Sequence, residues 1–154
     1  MIKQAMIFAV VSAALASPAI AGPAEDATLA VTTWMDKFNA GDNAAFIAGH
    51  ATNAVIVDEF GPLIWTGPNA PQRWLEDFGK DAKAGGITEP RLDYAAPIRA
   101  SANDSAAYIV LPTIYRMKQG GAAKSAAGTM TFVMTRAGND WKIASWTYSA
   151  PEPK

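Results

Sequence analysis

The sequence predicts an α+β domain. Helical periodicity dominates the first half of the chain and strand-length β-branched and aromatic runs dominate the second. No regular strand–helix alternation builds a parallel sheet. Neither an internal repeat nor a linker divides the chain, and 154 residues suit one domain. Half the residues are hydrophobic, enough for a substantial core.

Composition removes several functions. A net charge of −1 gives no electrostatic basis for nucleic-acid binding. There is no cysteine, so disulfides, thiolate catalysis and cysteine-ligated zinc are excluded. His50 is the single histidine, which excludes a histidine metal cluster. No metal and no cofactor is expected.

Residues 1–21 have the form of a secretory signal. Lys3 is the positive start, an apolar stretch follows, Pro18 breaks it, and Ala19-Ile20-Ala21 is a small-x-small cleavage site. The apolar run is shorter than a spanning helix needs, and no later segment qualifies. The expected product is a periplasmic or secreted domain, residues 22–154, with no membrane attachment after cleavage.

The first helix is expected over residues 24–39. Glu25 and Asp26 suit its N-terminal dipole, and Ala27, Val31, Trp34 and Phe38 form one apolar stripe. Gly41 ends it, and Asp42 caps a short second helix reaching His50, with Phe46 and His50 one turn apart. A strand follows over 54–58 (AVIVD), then a Gly-Pro turn and a short return strand over 63–65. Asn69 is placed to cap a third helix, with Pro71 in its first turn. Trp74 and Phe78 share its inner face, Glu76 and Lys80 pair outside, and Gly85-Gly86 ends it. Strands are expected over 88–100, 106–118, 128–136 and 141–149. Residues 119–127 (QGGAAKSAA) read as a flexible hairpin tip, and the tail 151–154 is expected to fray.

Taken together, FNAGD (38–42), AVIVDEFGP (54–62), WTG (65–67), the helix around Arg73-Trp74, GTMTFVMTR (128–136) and WKIASWTYS (141–149) resemble the NTF2-like superfamily, which includes ketosteroid isomerases and SnoaL-type cyclases. The order and spacing of these segments cover nearly all of residues 22–154. The resemblance implies a cone: a strongly curved antiparallel sheet wrapped around three N-terminal helices, enclosing an apolar hollow. Such a fold hosts enzymes and non-enzymes alike. The aromatic residues best placed to line the hollow are Trp34, Trp65, Trp74, Phe78 and Tyr115, each of which could equally be plain core.

By resemblance to the isomerases, Asp58 in V-D-E-F-G stands where their carboxylate base stands. A carboxylate facing an apolar hollow would be desolvated and its pKa raised, suiting it to proton abstraction. The rest of that apparatus differs. The oxyanion-donating tyrosine falls at Trp34, and the second donor falls near Thr129 or Thr131. His50 is placed to meet Asp58 at the mouth of the cone, or else to cap its helix. Thr113, Tyr115, Arg116, Thr131 and Ser145 are further polar candidates, and Arg99 and Arg116 could meet an acidic ligand. If Trp146 and Tyr148 face outward, they form an association surface, and a homodimer through the sheet is expected.

Three readings follow. The cone binds a small apolar molecule through Trp34, Trp65, Trp74, Phe78, Tyr115 and Thr131. Alternatively, it is an isomerase-type enzyme with Asp58 as base, assisted by His50 or Trp34. In the third, the domain is a dimeric interaction module with a filled cone.

Overall fold

The computed structural model describes residues 22–150. The expected signal segment, 1–21, and the tail, 151–154, lie outside the described residues. Three helices, α1 (Pro23–Asn39), α2 (Asn43–Ala48) and α3 (Ala70–Ala84), pack into a curved sheet of seven strands. The strands are β1 (His50–Val57), β2 (Ile64–Trp65), β3 (Ile87–Tyr94), β4 (Arg99–Ala102), β5 (Ala106–Gln119), β6 (Ala122–Ala137) and β7 (Asp140–Ser149). Their order is β2-β1-β7-β6-β5-β3, with β4 also on β5. This is the expected α+β cone.

The sheet is mixed, which corrects the antiparallel expectation. β1 runs parallel to β7, and the other ladders are antiparallel. β1 leaves for the hairpin and α3, and the chain returns beside it only at the end of the meander, travelling in the same direction.

α1 buries Ala27, Val31, Trp34 and Met35, with Phe38 half-buried at the end of that stripe. The Asp42 side chain accepts the Ala45 N–H at 3.0 Å and so starts α2. α2 is shorter than expected, and His50 opens β1 instead of closing a helix. Asn69 precedes α3 with φ of 62° and makes no side-chain cap bond. Asparagine tolerates this left-handed conformation after Gly67-Pro68, and the helix start is held by the Arg73 N–H on the Asn69 carbonyl. The Glu76–Lys80 pair does not form: Lys80 bonds Asp77 at 2.9 Å, and Glu76 accepts from Gln72.

Residues 88–100 are not one strand. Pro97 cannot donate to a ladder, and the chain breaks there into β3 and β4, which pair with opposite ends of β5. Residues 119–127 are mostly ladder and not a flexible tip. Gly120 and Gly121, both at positive φ, make a two-residue turn, and Ala122–Ala127 pair with β5.

A register shift between Val133 and Met134 leaves Ala144 of β7 without a partner. This bulge flips the side-chain phase of β7. Trp141 and Ile143 point inward before it, and Trp146 points inward after it. Trp146 is only 3% exposed and Tyr148 packs on the core, so the outward placement of these two residues is overturned. The sheet's outer face carries Val55, Val57, Tyr108, Ile114 and Val133 instead, each partly exposed. No helix among the described residues is long and apolar enough to cross a membrane.

Candidate functional site

The helices do not fill the cone. An open cavity of about 980 Å³ remains between α1, α2 and α3 and the concave face of β5, β6 and β7. That is at the upper end of ligand-site volumes. Trp34 and Phe38 of α1, Phe46 of α2, and Trp74 and Phe78 of α3 form one wall. Phe60, Tyr115, Trp146 and Tyr148 complete the aromatic lining from the sheet side and the β1–β2 turn. The rings support one another. Trp74 stacks on Phe78 at 5.0 Å and on Phe46 at 5.4 Å, and meets Trp146 edge-on at 5.1 Å. The remaining wall is small: Ser125, Ala126 and Ala127 line it from β6.

Asp58 follows the last residue of β1 and lines this cavity, half-buried. A tight turn aims it, because the Asp58 N–H donates to the Leu63 carbonyl and the Leu63 N–H to that of Phe60. The Trp74 indole N–H donates to Asp58 Oδ2 at 3.0 Å, and the Glu59 N–H to Oδ1 at 2.8 Å. Burial is the main influence on this carboxyl and outweighs both hydrogen bonds. With the like charges of Glu59 and Asp81, it pushes the pKa up to about 6. The group is therefore an ionised acceptor at neutral pH that titrates within reach of it.

His50 does not meet Asp58. It is buried behind the cavity wall, and both ring nitrogens are engaged. Nδ1 lies 2.9 Å from the Phe46 carbonyl, and Nε2 lies 3.0 Å from the Trp146 indole nitrogen. The indole can only donate, so Nε2 accepts and Nδ1 carries the proton. Burial lowers the His50 pKa to about 4, against a smaller opposing effect of the backbone carbonyls. His50 is thus a neutral strut holding Trp146. Trp34 donates its N–H to the same Phe46 carbonyl at 3.1 Å, so it presents only its ring to the cavity.

The other expected site residues divide. Trp74, Phe78 and Tyr115 line the cavity. Trp65 does not: it is covered by Phe60 at 5.0 Å and donates its N–H to Asp77 at 3.0 Å, outside the hollow. Thr131 does not either. Met130 and Phe132 flank it and are buried inward, so alternation along β6 turns Thr131 to the outer face. There it lies in one cross-strand row with Val110 and Thr147. Arg116 bonds Asp93, and Arg99 lies over the exposed ring of Tyr108. Neither lines the cavity.

The Tyr115 hydroxyl is buried and has no hydrogen-bond partner. Burial, with smaller effects from Tyr148, Asp58 and Asp81, raises its pKa to about 12, so it is a neutral phenol with a proton to donate. Sequence reasoning placed Phe38 and Phe46 on the right helix faces without assigning them to the hollow. It missed Phe60, whose facing depends on turn geometry, Tyr148, whose facing depends on the β7 bulge, the small residues of β6, and Asp81, which stands at helical spacing from Trp74 and Phe78. Among the described residues, no group of three or more acidic or histidine side chains could hold a metal ion.

A family model of the SnoaL-like domain matches residues 28–153. No curated protein matches the chain in sequence. Three solved structures with the same fold are a ketosteroid isomerase-like protein from Erwinia carotovora atroseptica, a putative calcium/calmodulin-dependent protein kinase II association domain from Xanthomonas campestris, and ActVI-ORFA from Streptomyces coelicolor. The first is 16% identical with a TM-score of 0.65, covering 84% of this chain and 97% of its own. The second is 16% identical with a TM-score of 0.70, covering 97% and 100%. The third is 15% identical with a TM-score of 0.65, covering 83% and 96%.

Proposed function

The chain belongs to the SnoaL-like domain family, and we propose that its cone binds a small, largely apolar, ring-bearing molecule with Asp58 as the main polar contact. The observation that carries this is the open cavity of about 980 Å³, walled by aromatic rings around one half-buried carboxylate. Protein interiors are normally packed to near-crystalline density, so a hollow of this size in so small a domain calls for an occupant.

Native mass spectrometry of the protein purified from its own host tests this reading. A bound small molecule is expected. Absence of any adduct, together with unchanged tryptophan fluorescence on titration with ring compounds, would refute it, because Trp34, Trp74 and Trp146 all line the cavity.

A catalytic reading is favoured by one further observation. Asp58, with its raised pKa, faces the same hollow that the aromatic rings enclose. Asp58 would remove a proton beside a ligand carbonyl and return it to a neighbouring carbon. Hydrogen–deuterium exchange into a bound ketone, lost at least about 100-fold in Asp58→Asn with binding retained, would support it. Equal exchange in the variant would exclude it.

Two further parts of the reading are proposals. Residues 1–21 direct export, to be checked by N-terminal sequencing of the protein from its host. The outer sheet face, through Val55, Val57, Tyr108 and Val133, joins two copies. The Xanthomonas relative named an association domain fits such a role. A clean monomer by sedimentation at micromolar concentration would remove it.

A further inference from the structure

We propose that the molecule held in the cone is a cation, a protonated or quaternary amine on an aromatic or alicyclic body. This rests on the reading that the cone binds a small molecule, and it names the class. Among the described residues, the charged ones lining the cavity are Asp58, Glu59 and Asp81, and none of the lining residues is basic. Nor, among the described residues, does a base come within ion-pair distance of them. Among the described residues, the ion pairs join Lys37 to Asp42, Lys80 to Asp77, Arg91 and Arg116 to Asp93, and Lys118 to Glu89. None of them includes a cavity carboxylate. Hydrogen bonds answer this only in part: the Trp74 and Glu59 N–H groups reach Asp58, and the Ala150 N–H reaches Glu59. Three like charges thus line one apolar hollow with no counter-ion among the described residues.

The walls agree in sign. Aromatic faces carry negative potential, and a cage of them attracts an ammonium group. Trp74, Phe46 and Phe78 form a continuous stack bordering the cavity, and the Asp58 carboxylate is bonded to the Trp74 edge. A cation would relieve the repulsion among the three acids while its apolar body lies against the aromatic wall. A carboxylate ligand would face three like charges with no base among the described residues to neutralise it. An enolate formed there would meet the same repulsion, which favours binding over proton abstraction.

Three probes of one shape separate the possibilities: 2-naphthylmethylammonium, 2-naphthylmethanol and 2-naphthoate, titrated calorimetrically into the full protein at low salt and mildly alkaline pH. The ammonium is expected to bind about tenfold or more tightly than the alcohol, and the naphthoate more weakly than either. High salt should erode the advantage of the ammonium and leave the alcohol unchanged. Asp81→Asn, an exposed change on α3, should reduce the advantage of the ammonium over the alcohol about threefold. If the alcohol or the naphthoate binds as well as the ammonium, the cation proposal is overturned and the binding reading stands. If none of the three binds, both are overturned.

Discussion

Replacing Asp58 by asparagine isolates the cost of keeping a charge in the cone. The carboxyl titrates at about 6 in the folded protein and near 3.8 when unfolded. Between those values the folded state holds a proton that the unfolded state has lost, so the contribution of Asp58 to stability falls as pH rises and stays low above 6. The full difference corresponds to about 3 kcal/mol. Asp58 is only half-buried, and water in the open cavity screens it, so about 1–2 kcal/mol is expected. Asparagine carries no such penalty. It does carry a different one, independent of pH: its amide must face either the Trp74 or the Glu59 N–H, both donors. The informative quantity is therefore the change with pH in the stability difference between variant and parent. Urea unfolding of both proteins should show Asp58→Asn improving relative to the parent by about 1–2 kcal/mol between about pH 3.5 and about pH 7, the window that spans the two pKa values. Other titrating groups are common to both proteins and largely cancel. One of them matters to the design. His50, lowered from 6.5 to about 4, makes stability rise with pH over nearly the same window, by about 3 kcal/mol. The parent profile alone would thus mask Asp58. A stability difference flat within about 0.5 kcal/mol across that range would show that Asp58 is not held against desolvation, and the polar centre of the site would be lost.

Other perturbations follow from the same contacts. Trp74→Phe removes the indole N–H from Asp58 while keeping a ring, so NMR titration should place the Asp58 pKa above 6; an unchanged or lower value would contradict the hydrogen bond. His50→Leu leaves the buried Trp146 N–H without an acceptor and should cost about 2–4 kcal/mol by urea unfolding. A loss below about 0.5 kcal/mol would mean that His50 is no strut. Gly49→Ala brings a methyl within 2.7 Å of the Trp34 ring, which is fixed by Phe46 and Phe132. Thermal unfolding should show a loss of about 1–3 kcal/mol, and none if Trp34 can yield.

Much of the fold was legible because its elements announce themselves locally. Asp42 caps α2, Gly85 and Gly86 close α3, and AVIVD is a strand by composition. Asp58 was legible as a strand-end carboxylate in the same way. What escaped depends on long-range register. Two consecutive tryptophans of β7, Trp141 and Trp146, both point inward although they lie five positions apart, an odd spacing that simple alternation forbids. The bulge at Ala144 permits it, and no local signal marks that bulge. Thr131 was misassigned because nothing local fixes the phase of β6. His50 was correctly joined to Phe46 at helical spacing, yet its Nε2 partner lies 96 residues away. Trp65 looked like lining until Phe60, across a turn, came between it and the hollow.

The hollow is encoded by what β6 lacks. Ser125, Ala126 and Ala127 border the cavity, and a Cβ at Gly128 would come within 2.6 Å of the Tyr148 ring, so that ring can lie flat on the sheet only over a glycine. Ala126 sits directly across from Tyr115 in the ladder. A large side chain there would reach into space that the helices leave empty. Ala126→Trp should therefore bury added apolar surface in the parent cavity, leaving stability equal or up to about 2 kcal/mol higher, while weakening binding of ring compounds more than about tenfold. A domain selected only as a packed shell would gain from such a filling and lose nothing. If Ala126→Trp binds ring compounds as the parent does, the occupant does not lie against β6. If it unfolds the protein, the space beside Tyr115 is not free. Gain of stability with loss of binding is the outcome that ties the small residues of β6 to a ligand.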